Sequence, residues 1–175
     1  MSELEEFRRG KDAFFREGPT SPLTDEQRRS FEGLAYYPPT DALVIRAPLD
    51  PDVDRQEPVV MQTTTGGSQE YRRAGVVRFR VDGDVAQVTL YASPDQRELF
   101  LPFRDATSGK ESYGAGRYLE VEPPAPDGTV EIDFNYAYNP YCAYNEAWSC
   151  PLPPGENWLR VPIRAGERTF PGHRP

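Results

Sequence analysis

The sequence predicts a single, mainly β domain, an antiparallel barrel or sandwich with two N-terminal helices packed on it, and three observations carry that prediction. Nineteen prolines and fourteen glycines in 175 residues, against 37% hydrophobic residues, favour many short elements joined by turns over long helices. Alternation of apolar and polar residues recurs from Val76 to Ile163, the period of half-buried strands. Helical spacing and capping signals are confined to the first 33 residues. The chain is therefore divided into a helical segment 1–33, a β domain 34–168 and a flexible tail 169–175. A chain of this length is one domain with a core of its own.

At the N-terminus, Leu4, Phe7, Phe14 and Phe15 fall near one helical face, with Glu5, Glu6, Arg8, Arg9 and Asp12 around the rest. Gly18-Pro19 ends that helix, and Thr24 followed by Gln27 reads as a capping box opening a second short helix that runs to about Gly33. Both helices are expected to cover one end or edge of a sheet; the alternative is a free interaction arm. Ala42–Arg46 and Val59–Thr64 are short strands, punctuated by Pro48, Pro51 and Pro58.

The clearest local pattern is a hairpin, Gly75–Val81 and Asp84–Leu90, joined by Asp82-Gly83. Asp-Gly suits a type I′ turn, in which both central residues take positive φ. With a two-residue loop, Val81 faces Asp84, Phe79 faces Ala86 and Val77 faces Val88, while Arg80 and Arg78 share the other face with Val85 and Gln87. A slip of one residue would bury the arginines, so one register satisfies turn and faces together. Arg97–Phe103 is a further strand, and Leu119–Val121 with Val130–Phe134 reads as a second hairpin. Leu159–Arg164 closes the series as a strand whose Pro162 argues for an edge.

The formal charge of −8 repels a phosphate backbone, so nucleic acid is not an expected partner. Charges recur every few residues at the N-terminus and no segment holds about 18 consecutive apolar residues, so no membrane partner is expected and a cytoplasmic location follows. Thiols are kept reduced there, which favours free Cys142 and Cys150 over a bridge. The one histidine, His173, lies close to the end of the chain, which removes the usual base of a Ser-His-Asp or Cys-His site. Cys142 and Cys150 are spaced more widely than a zinc knuckle and lack a second Cys pair, so no metal site is expected.

Residues 133–158 hold both cysteines, both tryptophans and four tyrosines, laced with asparagines, a mixture that implies either a hydrogen-bonded core or a lined pocket. The candidate ligand-binding residues are Arg104, Asp105, Arg117, Asp133, Asn135, Tyr138, Asn139, Cys142, Cys150 and Asn157, at strand ends and in two long loops, where binding residues sit on β scaffolds. Their structural alternative is that Arg104 or Arg117 pairs with Asp105 or Asp133, and that the asparagines satisfy loop backbone. Residues 135–154 are expected to fold over one end of the domain, burying the apolar parts of Tyr138, Cys142 and Trp148 and bonding Asn139 to backbone.

The strings Phe103–Gly109, Tyr113–Leu119, Asp133–Asn135, Tyr138–Pro140, Cys142–Tyr144, Cys150–Pro154, Glu156-Asn157 and Ala165–Glu167 resemble a prokaryotic family catalogued as domain of unknown function number 1684. The resemblance runs from about Leu34 to Glu167 and implies a shared fold and a shared use of those positions. It implies no substrate and no cofactor. The function expected is a non-catalytic domain that binds a small molecule or serves a structural role. The alternative is an enzyme in which Arg117 or Arg104 activates a thiolate of Cys142 or Cys150.

Overall fold

The structure, a computed structural model, describes residues 1–172. It is mainly β, with two helices, α1 (Glu3–Glu17) and α2 (Asp25–Arg29). The strands are β1 (Val44–Pro48), β2 (Val59–Gln62), β3 (Ser68–Val81), β4 (Asp84–Ala92), β5 (Leu99–Phe103), β6 (Arg117–Val121) and β7 (Thr129–Asp133). Strands β2-β3-β4-β5-β6 form one antiparallel sheet in that order, and β1 pairs with β7 in a separate ribbon. The five-stranded sheet curls into a half-barrel and does not close: β2 and β6 are its edges. The closed barrel among the expected architectures is thereby corrected.

The β3–β4 hairpin has the register read from its sequence, with Val81 opposite Asp84, Phe79 opposite Ala86 and Val77 opposite Val88. Asp82 and Gly83 take φ of 50° and 88°, the positive values that a type I′ turn needs. Further along β3 the register shifts between Arg73 and Gly75, a bulge that bends the long strand and lets its first part pair with β2. Gly75 is required there: a Cβ would lie 2.7 Å from Asp50 O and from the Leu49 side chain, where the chain after β1 bonds Val76 through both backbone groups of Asp50.

The sheet is covered on both faces. Val77, Phe79, Val88, Leu90, Leu101, Phe103, Leu119 and Val121 form the inner face, beneath Val130, Ile132 and Phe134 of the ribbon and beneath Val161 and Ile163. On the outer face Tyr91, Phe100 and Tyr118 pack with Met61, Cys142 and Cys150. This explains why alternation fails in β4, where Val88 to Tyr91 are all buried. A third cluster, Phe15, Leu23, Phe31, Tyr144 and Phe170, joins the helical segment to the domain.

Both helices begin with a capping box, Ser2 with Glu5 and Thr24 with Gln27, and α2 stops at Arg29, short of the expected Gly33. α1 is docked: Arg8 donates to the Asn135 and Tyr37 carbonyls, Asp12 accepts from the Leu34 amide at 3.0 Å, and Lys11 reaches Glu167 at 2.8 Å.

Three further expectations are corrected. β6 and β7 do not pair as a hairpin; β6 bonds β5, and β7 crosses the inner face to bond β1. Alternation sets which face of a strand is buried and leaves its partner open. Leu159–Arg164 is not a strand: it bends at Arg160 and Val161, and its backbone groups bond to the Arg104 and Ala106 backbone and to the Asp105 and Arg117 side chains. Thr169 and Phe170, placed in the tail by the sequence, are held by a bond from the Thr169 amide to Glu111 O and by burial of Phe170. His173 and the end of the expected flexible tail lie outside the described residues.

Candidate functional site

Arg117 opens β6, directly after Gly116, and its guanidinium is 1% exposed. It donates to the carbonyls of Ala165, Glu167 and Ile163 at 2.6, 3.0 and 2.7 Å and lies 3.4 Å from Asp105 Oδ1. Asp105 follows β5 and accepts from the hydroxyls of Thr107 and Ser108 and, at 2.6 Å, from the Ile163 amide. Burial lowers the Arg117 pKa while Asp105 opposes that shift. The terminal nitrogens of Arg117 and one Asp105 oxygen bond the chain from Ile163 to Glu167, while the buried Arg117 Nε has no partner.

The other polar candidates are also engaged in separate places. Asn135 brackets Thr40, accepting from its amide at 3.0 Å and donating to its carbonyl at 2.8 Å, and donates to Asp133 at 2.9 Å. Asn157 brackets Thr89 in the same way and also donates to Pro102 O. Asn139 donates to Arg168 O, Tyr138 donates to Glu120, and Arg104 stacks 4.7 Å over the Trp158 ring. The ten residues thus fall into separate clusters.

The segment after β7 covers the outer sheet face, with the Tyr138 and Tyr118 backbones bonded to each other. Cys142 is buried as expected, but Trp148 is 42% exposed, with its ring edge on Tyr141. The turn made by Asn145, whose side chain accepts from the Ala147 amide, carries Trp148 to the outside of the loop.

Glu167, absent from the expected site, is 1% exposed and joins the parts of the molecule. It accepts from Lys11 at 2.8 Å, from the Tyr144 hydroxyl at 2.5 Å and from the Asn139 amide at 2.9 Å. Beside it a cleft of about 500 Å³ opens between α1 and the loop, lined by Phe7, Gly10, Lys11, Phe14, Phe15, Tyr138 and Tyr141. The lining is almost wholly apolar, and Lys11 Nζ lies 4.9 Å from the Tyr138 ring centre. The only signal of it in the sequence is Gly10, a glycine inside an otherwise well-formed amphipathic helix.

Cys142 and Cys150 are free and adjacent: the Cys142 amide donates to Cys150 Sγ at 3.3 Å, and the Tyr113 hydroxyl lies 3.5 Å from Cys142 Sγ. The hydrogen bond with the Cys150 thiol lowers Cys142 to about 7, overcoming its burial, while Cys150 is raised well above its ordinary value. The largest influence lowering Cys142 is therefore the second cysteine and not Arg117 or Arg104, the residues named by the alternative reading of the sequence, which are engaged elsewhere. Among the described residues no group of three His, Cys, Asp or Glu side chains could hold a metal ion, and no helix is long and apolar enough to cross a membrane.

Fold and site together define a class: a half-barrel β domain with a helical cover, an apolar cleft beneath that cover and polar residues turned to internal bonding. The chain belongs to the family described as protein of unknown function (DUF1684), whose model matches residues 29–168. It is similar to the uncharacterized protein from gene locus rrnAC0354 of Haloarcula marismortui, solved by solution NMR, at 37% identity and a TM-score of 0.73, covering 98% of this chain and 95% of that one. No curated protein matches the chain.

Proposed function

We propose that the protein is a non-catalytic domain that binds a small apolar molecule, aromatic or aliphatic, in the cleft between α1 and the Tyr138–Tyr141 segment. The observation that carries this reading is Gly10. A glycine inside a helix costs about 1 kcal/mol relative to alanine, and nothing lies within 4 Å of the place its Cβ would occupy. The empty space lies against the aromatic wall of Phe7, Phe14 and Tyr141. Ligand pockets are typically apolar concavities with few polar groups, and this cleft is of that size and character. The polar candidates favour binding over catalysis, since most of their donors and acceptors are occupied within the fold, the buried Arg117 Nε and Asn139 Oδ1 being the exceptions. We place the protein in the cytoplasm, where its two free thiols would be maintained.

Titration of the ¹⁵N-labelled protein with indole and with a medium-chain alcohol tests the reading. Amide shifts concentrated in Phe7–Phe15 and Tyr138–Tyr141 are expected, and their loss in Gly10→Phe, which fills the cleft. Shifts spread evenly over the surface, or an undiminished response in Gly10→Phe, would refute it.

A further inference from the structure

Cys142 stands in the turn Tyr141–Ala143, and Cys150 lies where the chain returns to bond Thr64 through both its backbone groups. The intervening loop brings Cys150 Sγ to 3.3 Å from the Cys142 backbone amide, so the two cysteines pack directly against each other. Both side chains are buried, and Cys142 is one of the residues lining a second cleft, about 830 Å³, between α2 and the loop. Thr24, Gln27 and Glu146 also line that cleft, giving a small polar oxidant a polar way in toward residue 142.

We propose that Cys142 and Cys150 are a reversible redox pair, with Cys142 as the attacking thiolate, Cys150 as the resolving thiol and hydrogen peroxide as the class of oxidant. In the first step the Cys142 thiolate attacks one peroxide oxygen, the O–O bond breaks, and sulfenic acid and hydroxide form. In the second the Cys150 sulfur attacks the Cys142 sulfur, an S–S bond forms and the S–O bond breaks, and the departing hydroxide takes the thiol proton as water. Two thiols lose two electrons and peroxide is reduced to two waters. Thiolate character determines which cysteine such an oxidant attacks, and the surroundings of Cys142 shift it toward that form while those of Cys150 shift it away. Intracellular disulfides of this kind are characteristically transient and redox-sensing.

The bridge would act on a loop that matters. Tyr144, within it, meets Phe15 of α1 edge-to-face with ring centres 4.9 Å apart and bonds Glu167, and its carbonyl accepts from Gln27 of α2. Crosslinking the two ends of this loop therefore bears on how both helices sit. The inference stands on the packing of Cys150 Sγ against Cys142 and is independent of what the apolar cleft binds.

The test is intact-mass analysis of the folded, full-length protein after brief exposure to equimolar hydrogen peroxide. Loss of two hydrogens, reversed by dithiothreitol, with a peptide map joining Cys142 to Cys150, is expected. In Cys150→Ser, which retains a hydrogen-bond donor, Cys142 should stop at sulfenic acid and be trapped by dimedone, while Cys150 in Cys142→Ser reacts at least about tenfold more slowly. An unchanged mass in the folded wild-type protein, when the same treatment oxidises urea-unfolded chain, would overturn the proposal. So would dimedone labelling at comparable rates on both cysteines, or crosslinks formed only between chains. The wild-type measurement requires no variant to fold.

Discussion

The guanidinium of Arg117 and the carboxylate of Asp105 meet at 3.4 Å with 1% and 0% of their side chains exposed, and both close on the backbone of residues 163–167. They stand at neighbouring strand ends, Arg117 at the start of β6 and Asp105 just past its β5 partner Phe103. What the sequence offers as a binding pair is a clamp that holds an irregular segment against the core, where a strand ladder would otherwise do so.

Arg117→Met is expected to destabilise the fold by about 3–5 kcal/mol, because it leaves the Asp105 charge buried without its partner and strips three carbonyls of their donors. Adding Asp105→Asn to that variant removes the orphaned charge and should cost less than the two single losses summed. Urea denaturation of the four proteins of this cycle measures both effects. A change at Arg117 that left stability intact and altered only ligand binding would contradict the clamp.

Asn157→Asp tests the bracket on Thr89. The asparagine is fully buried and uses its oxygen for the Thr89 amide and its amide group for the Thr89 and Pro102 carbonyls. A carboxylate keeps the first bond and faces two acceptors with a buried charge, so a loss of about 3 kcal/mol or more is expected at neutral pH. Protonation restores a donor, so the deficit relative to wild type should shrink as the pH falls. Thermal melts at two pH values read it.

Gly10→Ala should raise stability by about 0.5–1 kcal/mol through helix propensity, since the added methyl meets no atom within 4 Å. The cleft keeps room beside so small a group, so indole binding should survive in Gly10→Ala and disappear in Gly10→Phe. The comparison separates a glycine retained for the helix backbone from one retained for the space it leaves.

Alkylation of Cys142 by iodoacetamide should rise with pH through a midpoint near 7, because the thiolate is the reactive form and its bond with Cys150 favours that form. In Cys150→Ala the principal lowering contact is gone while burial still opposes the charge, so the midpoint should move up. An unchanged midpoint in that variant would assign the effect to Tyr113 or the backbone in place of the second thiol.

Much of the fold was legible where neighbours in sequence are also neighbours in space. The β3–β4 register follows from one Asp-Gly turn and two face patterns that agree, and the capping box at Thr24 and Gln27 is complete within four residues. The recurring motif strings marked the family over most of the chain, in keeping with the match at residues 29–168. The apolar cleft was scarcely legible, since its walls come from α1 and from residues more than a hundred positions away.

By itself the sequence determined the mainly β character, the hairpin, two N-terminal helices with the cap of the second, and the positions at which Arg, Asp and Asn would need partners. Each follows from local dihedral preference, short-range periodicity or the cost of burying an unpaired polar group. The tertiary structure alone decided that β7 leaves β6 for β1, that Arg117 and Asp105 hold Ile163–Glu167, that Glu167 receives Lys11, and that Cys142 lies against Cys150. An alternating strand presents the same faces to any partner, and a buried charge accepts any well-aligned donor. The choice among partners is made only when the whole core packs and the chain crossings fix which backbone groups remain to be satisfied.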